Sequence, residues 1–179
     1  NKMTVQKLFI DGKVLSYDEL NHDKLMEKNF VRMALLCNDA ITTESKDSDK
    51  PKEIGDPTEI ALVNLGEVYD LDELSIREDY PRLQEVPFDS DRKLMSTVNK
   101  YENRNIMITK GALDILLSRV IKVQTADGIK GITEMDKEKI KNANEEFSRS
   151  GLRVLAFAYK KIDEGTNITM EDEKDLTFM

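Results

Sequence analysis

The sequence predicts an α+β fold, an antiparallel sheet of about six strands flanked by helices. Strand-like runs outnumber what simple βαβ alternation would supply. Two of them, Leu94–Asn99 and Asn105–Thr109, are separated only by the polar stretch Lys100–Arg104, a connection of hairpin length. Helical stretches stand between the strands, and several are opened by capping residues or closed by glycine.

The elements follow in order. Thr4–Ile10 reads as a strand ending in a turn at Asp11-Gly12. Leu25, Met26, Phe30, Val31, Ala34 and Leu35 recur at helical spacing and predict an amphipathic helix reaching about Cys37. The polar run Thr42–Lys52 predicts a mobile surface loop. A second helix opens at Asp56-Pro57-Thr58-Glu59. Asp56 suits the N-cap and Pro57 the first helical position, and Glu59 is placed to reach back to the cap amide in a capping box. Ile60, Leu62, Val63 and Gly66 carry this helix to about Tyr69. The strand Leu83–Phe88 then precedes the hairpin. A short helix from Ala112 to about Arg119 follows Lys110-Gly111, and a stretch punctuated by Gly128 and Gly131 follows that. Asp136–Ser148 reads as a helix with Ile140, Ala143 and Phe147 on one face, ended by Gly151 in a left-handed cap. Arg153–Lys161 is the last strand, and the tail from Asp163 is acidic and poorly patterned. Neither a repeat nor a domain boundary is visible, so residues 1–179 are expected to form a single domain.

Composition narrows the function. The net charge is −8 with 35% charged residues. Nucleic acid is therefore a poor partner, because phosphate backbones demand an excess of Lys and Arg. Cys37 and His22 are the only residues of their kinds, which rules out an internal disulfide framework and a Cys/His zinc site, and a reducing cytosolic setting is the simpler expectation. No metal site is expected. No apolar run approaches the roughly 20 residues needed to cross a bilayer, so direct membrane contact by this segment is not expected. The opening Asn1-Lys2-Met3-Thr4-Val5 has no signal-peptide character and no initiator methionine, which suggests a segment of something longer.

No glycine-rich phosphate loop and no Ser/His/Asp set is present. Four short segments carry a different signal: Gly55-Asp56-Pro57-Thr58-Glu59-Ile60-Ala61-Leu62, Pro87-Phe88-Asp89-Ser90-Asp91-Arg92-Lys93-Leu94-Met95-Ser96, Thr109-Lys110-Gly111-Ala112 and Gly151-Leu152-Arg153-Val154-Leu155-Ala156. Cys37-Asn38-Asp39-Ala40 adds a fifth. In wording and in order these resemble the nucleotide-binding domain of P-type cation-transporting ATPases, nearest the calcium-pump branch in its bacterial form. The two ends of the chain, Asn1–Val5 and Asp175–Met179, resemble the family's passages from and back to the phosphorylation domain, so the resemblance spans the whole chain.

The resemblance implies an ATP site. Phe88 would stack on adenine, which needs no base-edge code; taken alone it reads as a core residue ending a strand. Glu59 would accept from the adenine amino group with Thr58 nearby. Lys93 and Lys110 would face the nucleotide, Gly111 would let ligand and backbone approach closely, and Arg153 would hold a phosphate by charge-assisted hydrogen bonds. Met95 and Leu155 would wall the base, a role compatible with plain core packing. Three cationic contacts on an acidic domain imply loose capture and quick release. Ser90 departs from the arginine of animal calcium pumps, and Leu113-Asp114 departs from the usual continuation after Lys-Gly-Ala.

The phosphorylated-aspartate motif and the family's magnesium-holding aspartates are absent from these residues, so none is expected to be a catalytic nucleophile or general base. In the intact pump, at the cytoplasmic face of a bacterial plasma membrane, the domain would work with ATP and Mg2+ and with the phosphorylation and actuator domains. By itself it would bind ATP without turning it over. Two other classes stand against this: a self-contained enzyme using one of the many carboxylates, and an interaction module of the same fold with no effective nucleotide site. The ligands of the transported ion are not among these residues; the motif wording makes calcium the expectation, with another cation of the same subfamily as the alternative.

Overall fold

The computed structural model describes residues 2–43 and 52–179. They cluster into two compact units: Asn1–Leu8 with Leu15–Tyr80, and Phe9–Val14 with Pro81–Met179.

Strand β1 (Lys7–Ile10), whose last two residues belong to the second unit, is shorter than its apolar pattern suggests. Asp11-Gly12 turns the chain, both residues with positive φ, into a strand the sequence reading lacked, β2 (Lys13–Ser16). Helix α1 (Leu25–Leu36) forms where the spacing predicts, with Val31, Ala34 and Leu35 completely buried. Strands β3 (Ile41–Thr43) and β4 (Lys52–Ile54) pair antiparallel, so the ends of the expected Thr42–Lys52 loop are strand; the rest of that loop, 44–51, lies outside the described residues.

Helix α2 (Pro57–Gly66) opens as predicted at Asp56, whose carboxylate accepts the Thr58 N–H at 2.8 Å. A one-turn 3-10 segment, Glu67–Tyr69, extends it. Helix α3 (Glu73–Asp79) is an addition, capped by Asp72, which accepts from the Ser75 N–H at 3.1 Å. Tyr69 and Glu27 are buried together, with the phenol donating to Glu27 at 2.9 Å; burial first and the adjacent carboxylate second raise the tyrosine pKa.

The second unit holds the main sheet. Strands β5 (Arg82–Asp89), β6 (Leu94–Tyr101) and β7 (Arg104–Gly111) form an antiparallel meander. The β6–β7 turn needs only Glu102-Asn103, both at positive φ, as a two-residue turn of matching twist requires. Helix α4 (Leu113–Leu117) leads to strands β8 (Val120–Thr125) and β9 (Gly128–Gly131), a hairpin where the sequence suggested only punctuation. Helix α5 (Glu134–Arg149) starts two residues before the expected Asp136. Asp136 instead completes a capping box with Thr133, accepting from its N–H at 3.0 Å while Thr133 accepts from the Asp136 N–H at 3.1 Å. At the far end the Leu152 N–H reaches the Phe147 carbonyl and the Gly151 N–H the Ser148 carbonyl. With Gly151 at φ +75, this is the predicted left-handed cap, in its Schellman form.

Strand β10 (Ala156–Ile162) begins three residues later than expected, and the tail contributes β11 (Leu176–Phe178). The sheet has seven strands in the order β5-β6-β7-β10-β11-β8-β9, antiparallel except for β11 beside β8. The count agrees with the expected sheet of about six strands, but β8, β9 and β11 are not among the runs that read as strands. Leu94, Ala156, Ala158, Leu176 and Phe178 of the sheet join Leu113, Leu116 and Leu117 of α4 and Ile140 of α5 in one buried cluster.

Candidate functional site

The register of the sheet determines which sequence segments meet. Leu94 stands opposite Gly111, and Gly111 opposite Ala156; one step on, Met95 stands opposite Lys110, and Lys110 opposite Phe157. Residues directly opposite share a face, so Met95, Lys110 and Phe157 form one cross-strand row. Asp89 closes β5 against Leu94. The Phe88–Met95, Lys110-Gly111 and Arg153–Ala156 segments are thus gathered at one end of the sheet, although residues 96–152 separate the first from the last.

Phe88 is 61% exposed. The reading of this residue as a core phenylalanine ending a strand is corrected: it does stand at the end of β5, but its ring faces solvent. The turn after it is tightly specified. The Asp89 carboxylate accepts the Asp91 N–H at 2.7 Å and the Arg92 N–H at 3.2 Å, and the Lys93 N–H reaches the Asp89 carbonyl at 2.6 Å. The Asp91 and then the Arg92 N–H hold the Asp89 pKa below its ordinary value. Lys93 ends the turn at φ +61 with its side chain exposed.

Arg92 and Lys93 are neighbours with opposite fates. The Arg92 side chain is 11% exposed and ion-paired to Glu173, which is completely buried, with Nε to Oε1 at 2.6 Å. It also donates to the Pro87 carbonyl at 3.1 Å. Glu173 accepts from the Ser96 hydroxyl as well, and its own carbonyl accepts from Arg119 at 2.8 Å. Sequence reasoning gave neither Arg92 nor Glu173 a role.

Met95 and Lys110 are buried, and Leu155 is half-buried. Gly111 also has a packing reason to lack a side chain. A Cβ there would lie 2.1 Å from the Lys93 carbonyl oxygen and 2.8 Å from Leu94 Cδ2, so the gap is filled by the start of β6. Arg153 is exposed and lies in the link between the Gly151 cap and β10, not at the start of the strand, because the capped helix end delays pairing until Ala156.

Thr58 and Glu59 belong to the first unit. Thr58 Oγ1 contacts Met3 Sδ at 3.6 Å. Glu59 is corrected: the Asp56 cap accepts from Thr58, one residue earlier than a capping box requires, and the Glu59 carboxylate accepts the Asp39 N–H at 2.5 Å. Asn38 donates to the Glu59 carbonyl at 3.0 Å and accepts the Ala40 N–H at 2.8 Å. A Cβ on Gly55, at φ +137, would lie 2.9 Å from Ala40 Cα. Cys37–Ala40 and Gly55–Glu59 are therefore one interlocked structure, and α3 braces it: Arg77 pairs with buried Glu73 at 3.2 Å and donates to the Asn38 carbonyl at 3.1 Å.

Among the described residues no three His, Cys, Asp or Glu side chains converge as a metal site would, and no helix is long and apolar enough to cross a membrane.

A family model described as the P-type ATPase cytoplasmic domain N matches residues 27–179. The chain is 38% identical to a calcium-transporting ATPase of Listeria monocytogenes, covering 100% of this chain and 20% of that protein. It is 38% identical to calcium-transporting ATPase 1 of Lactococcus lactis over 98% of this chain and 20% of that protein. It is 36% identical to calcium-transporting ATPase 1 of Bacillus cereus over 100% and 20%, respectively. The chain spans about a fifth of the length of these relatives.

Proposed function

The chain belongs to the P-type ATPase cytoplasmic domain N family, and from that premise we propose that residues 1–179 are a nucleotide-binding domain that captures ATP for a longer calcium-transporting pump. The observation that carries the proposal is the exposed Phe88 ring at the end of the sheet where β6, β7 and the Arg153–Leu155 link converge.

An aromatic face in solvent offers a stacking platform for adenine, worth about 1–3 kcal/mol per base. Exposed Lys93 and Arg153 offer charge to the phosphates, and buried Lys110 adds positive potential on the row it shares with Met95. Met95 and Leu155 supply apolar wall, and Gly111 holds β6 and β7 close. Magnesium enters only as the counter-ion that ATP brings, and no step here depends on a metal held by these side chains. No side chain in this set is poised as a nucleophile, so the chain binds ATP without hydrolysing it and passes it to an aspartate outside these residues. The phosphorylation and actuator domains of the same pump, at the cytoplasmic face of a membrane, are its partners.

The test is an NMR-monitored ATP titration of the chain beside folded Phe88→Ala and Lys110→Ala variants. Saturable shifts in the wild type that weaken roughly 5- to 150-fold in Phe88→Ala match the stacking energy. Absence of shifts at millimolar ATP, or steady phosphate release by the chain alone, refutes the proposal.

A further inference from the structure

We propose that Glu173 is a positioning residue for the nucleotide site, acting through Arg92 to fix the backbone on both sides of Phe88. The inference rests on the ATP reading above and deepens it. Glu173 is completely buried and lies three residues before the start of the tail strand, 81 residues from its ion-pair partner. A buried ion pair is a weak source of stability, since an apolar pair of like volume holds a fold as well. An apolar pair could not hold a carbonyl. Arg92 donates with one nitrogen to Glu173 at 2.6 Å and with another to the Pro87 carbonyl at 3.1 Å, so Glu173 orients a guanidinium that grips the residue just before Phe88.

The residue just after Phe88 is held as well, because Asp89 takes the Asp91 and Arg92 N–H groups on its carboxylate and the Lys93 N–H on its carbonyl. Ser96 and Thr109, hydrogen-bonded to each other at 2.8 Å and by Ser96 to Glu173, anchor the carboxylate to two central strands. Arg119 anchors its backbone carbonyl. The exposed ring is therefore carried on a segment clamped at residues 87 and 89 from inside the protein. A platform already in place loses little freedom when a base stacks on it, and affinity rises accordingly.

The experiment titrates ATP and inorganic tripolyphosphate into the wild-type chain, Glu173→Gln, Arg92→Lys, Phe88→Ala and the Glu173→Gln/Phe88→Ala double variant. Loss of the clamp weakens ATP about tenfold, a share of the stacking term, and leaves tripolyphosphate unweakened, because tripolyphosphate has no base to stack. In the Phe88→Ala background Glu173→Gln weakens ATP by less than about twofold, since the two act on one interaction. Equal weakening of ATP and tripolyphosphate, or ATP binding unchanged in folded Glu173→Gln and Arg92→Lys, overturns the inference alone. Failure of the wild-type chain to bind ATP overturns the nucleotide reading and the inference with it. Amide 15N relaxation of the wild type decides the matter even where a variant does not fold: Phe88–Arg92 are as rigid as β6 on the ps–ns scale if the clamp works, and loop-like order parameters there refute it.

Discussion

Gly111→Ala tests whether the empty space at this glycine serves the protein or its ligand. The new Cβ would stand 2.1 Å from the Lys93 carbonyl oxygen and 3.1 Å from Leu94 Cα, where ordinary contact begins near 3.4 Å. Both neighbours are backbone or branched from it, so relief requires β6 and β7 to part by about 1 Å. β7 cannot simply retreat, because Ala156 of β10 flanks Gly111 on the other side. The φ of Gly111, +159, is one that side chains rarely adopt, so the dihedral adds to the penalty from contact. Overpacking of this kind costs about 1–3 kcal/mol, and weakening the Ala112 N–H bond to the Lys93 carbonyl adds about 1 kcal/mol. With a urea slope of about 2 kcal/mol per molar, the midpoint falls by about 1–2 M. Urea denaturation followed by far-UV circular dichroism measures it. A midpoint within about 0.2 M of wild type, with ATP binding alone impaired, would refute the packing argument and return the space to the ligand.

Two further glycines separate contact from conformation. Gly151→Ala meets nothing within 4 Å and pays only for its φ of +75, about 1 kcal/mol, whereas Gly55→Ala adds a collision with Ala40 to a φ of +137 and loses about 2–3 kcal/mol, an ordering that urea midpoints check. The Asp136 pKa is held below 3.8, chiefly by the Thr133 N–H. A depressed folded-state pKa gives stability that is present above the unfolded value and lost as pH falls through the folded one. Asp136→Asn therefore lowers the thermal midpoint at neutral pH, and its melting curve converges on that of the wild type in acid. A gap that persists at the lowest pH would mean that the carboxylate charge is not what caps α5.

The parts of this fold that could be read locally are those whose cause is local. The meander β5–β7 declares itself by runs of five or six residues and a short polar turn, and Asp56-Pro57 and Gly151 mark helix ends through their own backbone requirements. β11 could not be read, because three residues hold less than two periods and their burial comes from strands elsewhere in the chain. α3, with under two turns and with Leu74 exposed beside buried Ile76, lacks a measurable stripe. Phe88, Lys93 and Lys110 entered as candidates through resemblance, since a lone Phe or Lys carries no signature of its own. What their burial adds is a division: Phe88 and Lys93 face solvent while Lys110 does not.

The same division bears on affinity. An acidic chain of net charge −8 has few cations to give a triphosphate, and Arg92, the one that a motif reading would add beside Lys93, is spent on Glu173. Ser90 adds no charge. That leaves Lys93, Arg153 and Lys110. Contacts of the exposed Lys93 and Arg153 are worth up to about 1 kcal/mol each, and stacking on Phe88 about 1–3 kcal/mol. With Lys110 granted the same ceiling, the sum is at most about 6 kcal/mol, a Kd no tighter than roughly 40 μM. Isothermal titration at physiological ionic strength measures this directly. A nanomolar Kd would require a phosphate grip that these side chains do not provide, and would refute the assignment of Arg92 to the protein's interior instead of to its ligand.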